Sequence, residues 1–162
     1  TMSKLLTILI SFILGAVVAS AIGFYSLPGF MIKEIPSPYG FEETMVKVKA
    51  NAKGLGWKVP KSWKINFQKN LQKTVKVDIG PNQVMGMCEP QAAADILKHD
   101  QLKQLAVMMP CKIAVYEKSD GKTYISIMNM NLLGTAFGDT VKGITTKLAP
   151  QMEKMVTLEA AK

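Results

Sequence analysis

Val84–Asn131 reads VMGMCEPQAAADILKHDQLKQLAVMMPCKIAVYEKSDGKTYISIMNMN, and this stretch decides the fold. Two apolar runs, KIAVYE and TYISIMNM, flank Ser119-Asp120-Gly121-Lys122, a strong signal for a β-hairpin. An even loop centred on Asp120-Gly121 pairs Lys118 with Thr123, Glu117 with Tyr124 and Ile113 with Met128, and carried on it sets Cys111 opposite Met130. One face of the ribbon is then expected to carry Cys111, Ile113, Val115, Met128 and Met130. The other takes Ala114, Tyr116, Ile125 and Ile127. Upstream, Pro90 stands where a helix can begin, so PQAAADILKHD and QLKQLAVM predict one broken helix or two short ones. Both cysteines, Cys88 and Cys111, lie in this stretch with six methionines, Met85, Met87, Met108, Met109, Met128 and Met130.

Working towards the N-terminus, GPN is a turn into VMGMC, and VKVDI (75–79) alternates as a half-buried strand. Trp63, Phe67 and Leu71 are four apart and predict a small helix that carries Lys64, Lys69 and Lys73 outward. Phe41, Met45, Val48, Ala52 and Leu55 fall at helical spacing and predict an amphipathic helix ending near Gly54 or Gly56. Towards the C-terminus, Asp139 can cap a helix whose apolar positions are Val141, Ile144, Leu148, Met152 and Met155, with Pro150 expected to bend or interrupt it.

Leu5–Leu27 is twenty-three residues without a charge, enough at roughly 1.5 Å per residue to cross a hydrocarbon core of about 30 Å. Lys4 precedes it, and Lys33 and Glu34 nearly cancel after it. The positive-inside bias therefore predicts a single-pass anchor with a cytoplasmic N-terminus and an extracytoplasmic, periplasmic domain. Ala19-Ser20-Ala21 offers the competing reading of a cleaved secretory peptide, but the apolar run continues past it. Residues 28–40, rich in Pro and Gly, are expected to form an extended linker, and residues 41–160 a soluble domain.

The chain of 162 residues has a net charge of +8 and no arginine. Arginine is the usual bidentate reader of guanine and phosphate, so its absence argues against sequence-specific nucleic-acid recognition. The excess of lysine is concentrated between residues 41 and 80. Lys47, Lys49, Lys53, Lys64 and Lys69 mark the expected face for a lipid bilayer or an acidic partner, against the simpler reading of a solvated surface.

CEPQAAADILKHDQLKQLAVMMPCKIAVYEKSDGKTYISIMN, with FEETMVKVKANAKGLGWKVP before it, resembles the domain-of-unknown-function 302 family over about residues 41–140. A Cys-x-Pro helix start, a Pro-Cys segment, an apolar strand ending in Tyr-Glu, a turn and a return strand carry the likeness. It implies an α+β domain of two layers, an antiparallel sheet with helices, often found as a dimer. It implies no established reaction. The sequence departs from the family pattern at Met128–Asn131, where an acidic residue followed by proline is expected.

Two cysteines with twenty-two residues between them fit no CxxC redox pair, zinc set or covalent haem motif. The plain readings are a Cys88–Cys111 disulfide or two buried thiols. A soft-ligand site is the sharper one: thiolate and thioether select Cu(I), with Cys88, Cys111, Met87 and Met130 as the candidate ligands. A haem held by Met, Cys or His99 is a variant, and a chain without any cofactor is the simplest case. The expected function is a membrane-anchored binding or accessory domain, not an enzyme, working as a homo-oligomer or with a partner in a membrane assembly. The alternative is thiol redox or sulfur transfer through Cys88, activated by the positive end of the helix at Pro90 and resolved by Cys111.

Overall fold

The structure, a computed structural model, describes residues 2–160. The side chains of Met2, Ser3, Leu27 and Pro28 are outside that description, so the Leu27 end of the expected span and Pro28 at the head of the expected linker are placed by backbone alone. Two units result, residues 1–31 and 32–162. The first is a single helix, α1 (Met2–Met31), whose stretch Lys4–Ser26 is long and apolar enough to cross a membrane and has no buried residue.

The second unit is an α+β domain built on a five-stranded antiparallel sheet. Its elements are β1 (Ile32–Pro36), α2 (Phe41–Gly54), a 3-10 turn at Lys61–Trp63, β2 (Lys64–Asn66), α3 (Phe67–Thr74), β3 (Asn82–Met87), α4 (Pro90–Leu97), a 3-10 segment (Asp100–Met108), β4 (Cys111–Glu117), β5 (Thr123–Met128), α5 (Met130–Ala136) and α6 (Asp139–Val156). The strand order is β1-β5-β4-β3-β2. Residues opposite one another in an antiparallel pair share a face. The inner face is therefore Gln83, Met85 and Met87 of β3, Ile113 and Val115 of β4, and Ile125 and Ile127 of β5. The apolar stripes of α2 (Phe41, Met45, Val48, Ala52) and α6 (Leu148, Met152, Met155) close over it. Each fully buried Met or Ile contributes roughly 1.5–3 kcal/mol.

The register of the β4–β5 hairpin differs from the expected one. Glu117 pairs with Thr123 and Ile113 with Ile127, so the loop holds five residues, Lys118–Lys122, rather than an even number. Gly121 supplies a positive φ of 72°, and the Asp120 carboxylate accepts from the Lys122 N–H at 3.0 Å, which favours the odd loop. A slip of one residue turns a whole strand over. Ile125 and Ile127 accordingly join Ile113 and Val115 in the core. Met128 is exposed, and β5 ends there, so Met130 opens α5 instead of extending the strand.

Three further expectations are corrected. Ile32–Pro36 is not linker but the edge strand β1, where proline is tolerated because its missing N–H is not needed by a neighbour. It is held from both faces, by the Lys33–Glu153 ion pair on one side and by Glu34 on the other. Glu34 meets the Lys118 ammonium at 2.5 Å and accepts from the Tyr116 hydroxyl at 2.7 Å. VKVDI forms no strand: Lys76 has a φ of 61°, and Val75, Val77 and Ile79 are exposed. At α6, Gly138 takes the cap position with a φ of 86° and Asp139 is the first helical residue, while the helix runs unbroken through Pro150.

Candidate functional site

At the Met87–Cys111 end of the sheet, α4, the 3-10 segment, α5 and α6 leave a cavity of about 90 Å³. Its wall gathers seven sulfur-bearing side chains: Cys88, Cys111, Met108, Met109, Met128, Met130 and Met152. Trp57, Ala92, Ile96 and Leu148 are among the apolar residues of the lining, and Glu89 and Lys112 are its charged ones.

Local sequence places each group. Cys88 follows β3 and is tied down by a two-way bridge, its N–H donating to Lys58 at 3.0 Å and its carbonyl accepting from the Lys58 N–H at 2.8 Å. Cys111 opens β4 directly after Pro110, whose bond to Met109 is cis. Met87 pairs with Cys111, which makes the two cysteines diagonal neighbours across β3 and β4. The Trp57 indole N–H donates to Gln151 Oε1 of α6 at 2.7 Å, fixing the ring against the wall. Gly86 lets the chain close up beside the site, because a Cβ there would stand 2.9 Å from Pro110 Cγ and 3.0 Å from Trp63 Cβ.

Both cysteines are free, and the surroundings of each favour the thiol over the thiolate. Burial pushes the Cys111 thiol up to about 11, with Cys88 beside it adding to the effect. Cys88 is raised as well, by burial first and by the Glu89 carboxylate second. The expectation that the start of α4 would stabilise a Cys88 thiolate fails for a specific reason: Glu89 occupies that position. Its carboxylate accepts from the N–H groups of Gln91 at 3.3 Å and Ala92 at 2.6 Å, satisfying the helix end and placing a negative charge next to the thiol. The Cys88 thiol itself lies 3.6 Å from the Glu89 carbonyl, a weak donor contact.

Of the four sulfur ligands expected from sequence, Cys88, Cys111 and Met130 reach the cavity. Met87 does not: it is fully buried on the inner face of β3 and is core. Met152 and Trp57 were missed as wall residues. Their only signal was membership of an apolar stripe and an aromatic before a turn, and their convergence on Cys111 is a long-range product of packing α6 on the sheet. His99 is half-buried ahead of the 3-10 segment and is not on the wall, so it offers this cavity no haem ligand. Among the described residues no three of His, Cys, Asp and Glu come together as a metal set.

The expected lysine face spreads over several elements. Lys47 is engaged with Glu43 at 3.5 Å and lies 4.3 Å over the Tyr39 ring. Lys53 is exposed near the end of α2, Lys69 is exposed on α3, and Lys49 and Lys64 line one open groove together with Lys61 and Trp63.

The family described as "Domain of unknown function DUF302" matches residues 33–158, so the match begins within the edge strand β1 and leaves out α1. A solved structure, "Crystal structure of uncharacterized conserved protein DUF302 from Bacillus stearothermophilus", is similar in fold, with a TM-score of 0.68 at 22% identity. The alignment covers 78% of this chain and 95% of that one. No curated protein matches the chain.

Proposed function

The chain belongs to the family described as domain of unknown function DUF302, and within that family we propose that it is a membrane-anchored, extracytoplasmic binding domain that holds Cu(I) in its sulfur-lined cavity. One observation carries the reading: two cysteines and five methionines are among the residues that line one small apolar cavity, and among the described residues no His, Cys, Asp and Glu metal set stands beside them. Cu(I) is a soft d10 ion that prefers such donors. Cys88 and Cys111 each lose a proton to the solvent as the ion binds, giving a bis-thiolate with one net negative charge, and Met130 or Met152 supplies a thioether.

The anchor reading is supported by the Lys4–Ser26 stretch, and the orientation by Lys4 before the span together with the near-cancelling Lys33 and Glu34 after it. Such a domain passes its ion to, or receives it from, a partner in the same membrane. The thiol-redox reading has less support, because a nucleophilic cysteine needs an accessible thiolate and both thiols here are pushed the other way.

Competition titration against a Cu(I) chelator tests the proposal. Wild type is expected to bind close to one Cu(I) per chain, and the Cys111→Ser, Met130→Leu double variant to lose it. Unchanged binding in that variant removes this cavity from consideration.

A further inference from the structure

We propose that the segment Lys61–Ile79 is a second membrane contact, a short interfacial patch that lays the domain onto anionic lipid headgroups. The inference rests on α1 serving as an anchor and adds to it a surface of the soluble unit. Almost the whole segment is exposed, and α3 buries none of its residues. Yet Trp63, Ile65, Phe67, Val75, Val77 and Ile79 are 38–60% exposed, a density of large apolar side chains that a solvated surface does not need.

Lysine accompanies them. Five lysines from Lys61 to Lys76 stand against a single acid, Asp78, and that acid is occupied locally, accepting from Gln68 at 3.0 Å and from the Gly80 N–H at 2.9 Å. Exposed Trp and Phe set among Lys is the composition that sits at the boundary between headgroups and acyl chains. Lys49, Lys61 and Lys64 around the Trp63 groove add a cationic notch of headgroup scale. The anionic bilayer is the occupant favoured over an acidic protein because exposed apolar side chains are interspersed with the charge, and because only five residues separate the apolar stretch ending at Ser26 from the first strand at Ile32. Such a tether makes even a weak contact with the lipid surface effective.

The two tryptophans make the contact measurable, since Trp57 is 2% exposed and Trp63 38%. The full chain is placed in lipid nanodiscs containing brominated phosphatidylcholine, with and without phosphatidylglycerol. Bromolipid is expected to quench Trp63 and spare Trp57 in the anionic discs, with Trp63→Phe abolishing the quenching. Lys64→Gln, Lys69→Gln and Lys73→Gln together should weaken docking about a hundredfold, roughly fivefold per lysine. A chain retained in the discs whose Trp63 stays unquenched in both lipids overturns the docking and leaves the anchor standing. A chain not retained at all overturns the anchor reading and the docking with it.

Discussion

Raising the pH should destabilise the domain through Cys111 alone by a predictable amount. Burial, with Cys88 alongside, lifts this thiol from its ordinary 9.0 to about 11. Between those values the native state keeps a proton that the unfolded chain has released, so the unfolded state binds fewer protons and stability falls as pH rises. Below pH 9 the group contributes no slope, and at pH 11 the accumulated loss is about 2 kcal/mol at 1.36 kcal/mol per unit. The assay is urea unfolding of the full chain in detergent from pH 8 to 11, wild type against Cys111→Ala. Tyrosines and lysines titrate in both proteins, so the gap between the two curves isolates this thiol. The variant loses a constant amount to the small void it creates, and the gap should narrow by about 2 kcal/mol over that range. Iodoacetamide gives an independent reading: at pH 8 a thiol two units above its ordinary value presents about a hundredfold less thiolate and should alkylate correspondingly slowly. A gap constant with pH, or alkylation of Cys111 as fast as in the urea-unfolded chain, refutes the claim that the cavity holds neutral thiols.

Gln83 Oε1 is buried on the inner face without a hydrogen-bond partner, so Gln83→Met should stabilise the domain by about 1 kcal/mol in the same unfolding assay. Two glycines should respond in opposite senses. A Cβ on Gly134 would meet Thr145 Oγ1 at 2.0 Å and the Lys142 Cα at 3.0 Å, so Gly134→Ala should cost roughly 1–3 kcal/mol. Gly143, inside α6 with nothing within 4 Å, should gain about 0.5–1 kcal/mol on change to Ala. For the anchor, protein extracted from membranes with detergent should retain residues before Ile22 by N-terminal mass analysis, and a start at Ile22 would show a cleaved leader instead.

Helical stripes were legible because a 3.6-residue period needs only local information. Phe41, Met45, Val48 and Ala52 on α2, and Val141, Leu148, Met152 and Met155 on α6, are buried as their spacing predicts. The hairpin was legible, but its register was not. That depended on whether the loop held an even or odd number of residues, which Gly121 and the Asp120 carboxylate settle through backbone geometry. The edge strand was hidden by its proline and by partners more than eighty residues away in sequence, Tyr116, Lys118 and Glu153. VKVDI shows the converse, an alternating run that finds no strand to pair with. At the site, the cysteines stood out because there are only two. Met87 and Met152 could not be sorted into core and wall, since the same side chain serves both and only the packing of α6 on the sheet tells them apart. The fate of Cys88 turned on Glu89, where one side chain at a cap position cancels the helix end that would have activated the thiol.

Copper K-edge X-ray absorption on the full chain loaded with one equivalent of Cu(I) tests the central claim most directly. The account predicts a first shell of sulfur alone, three scatterers from Cys88, Cys111 and a methionine, which collapses when both cysteines are changed to Ser. A shell of nitrogen or oxygen, or an unchanged sulfur shell in the double cysteine variant, would contradict it.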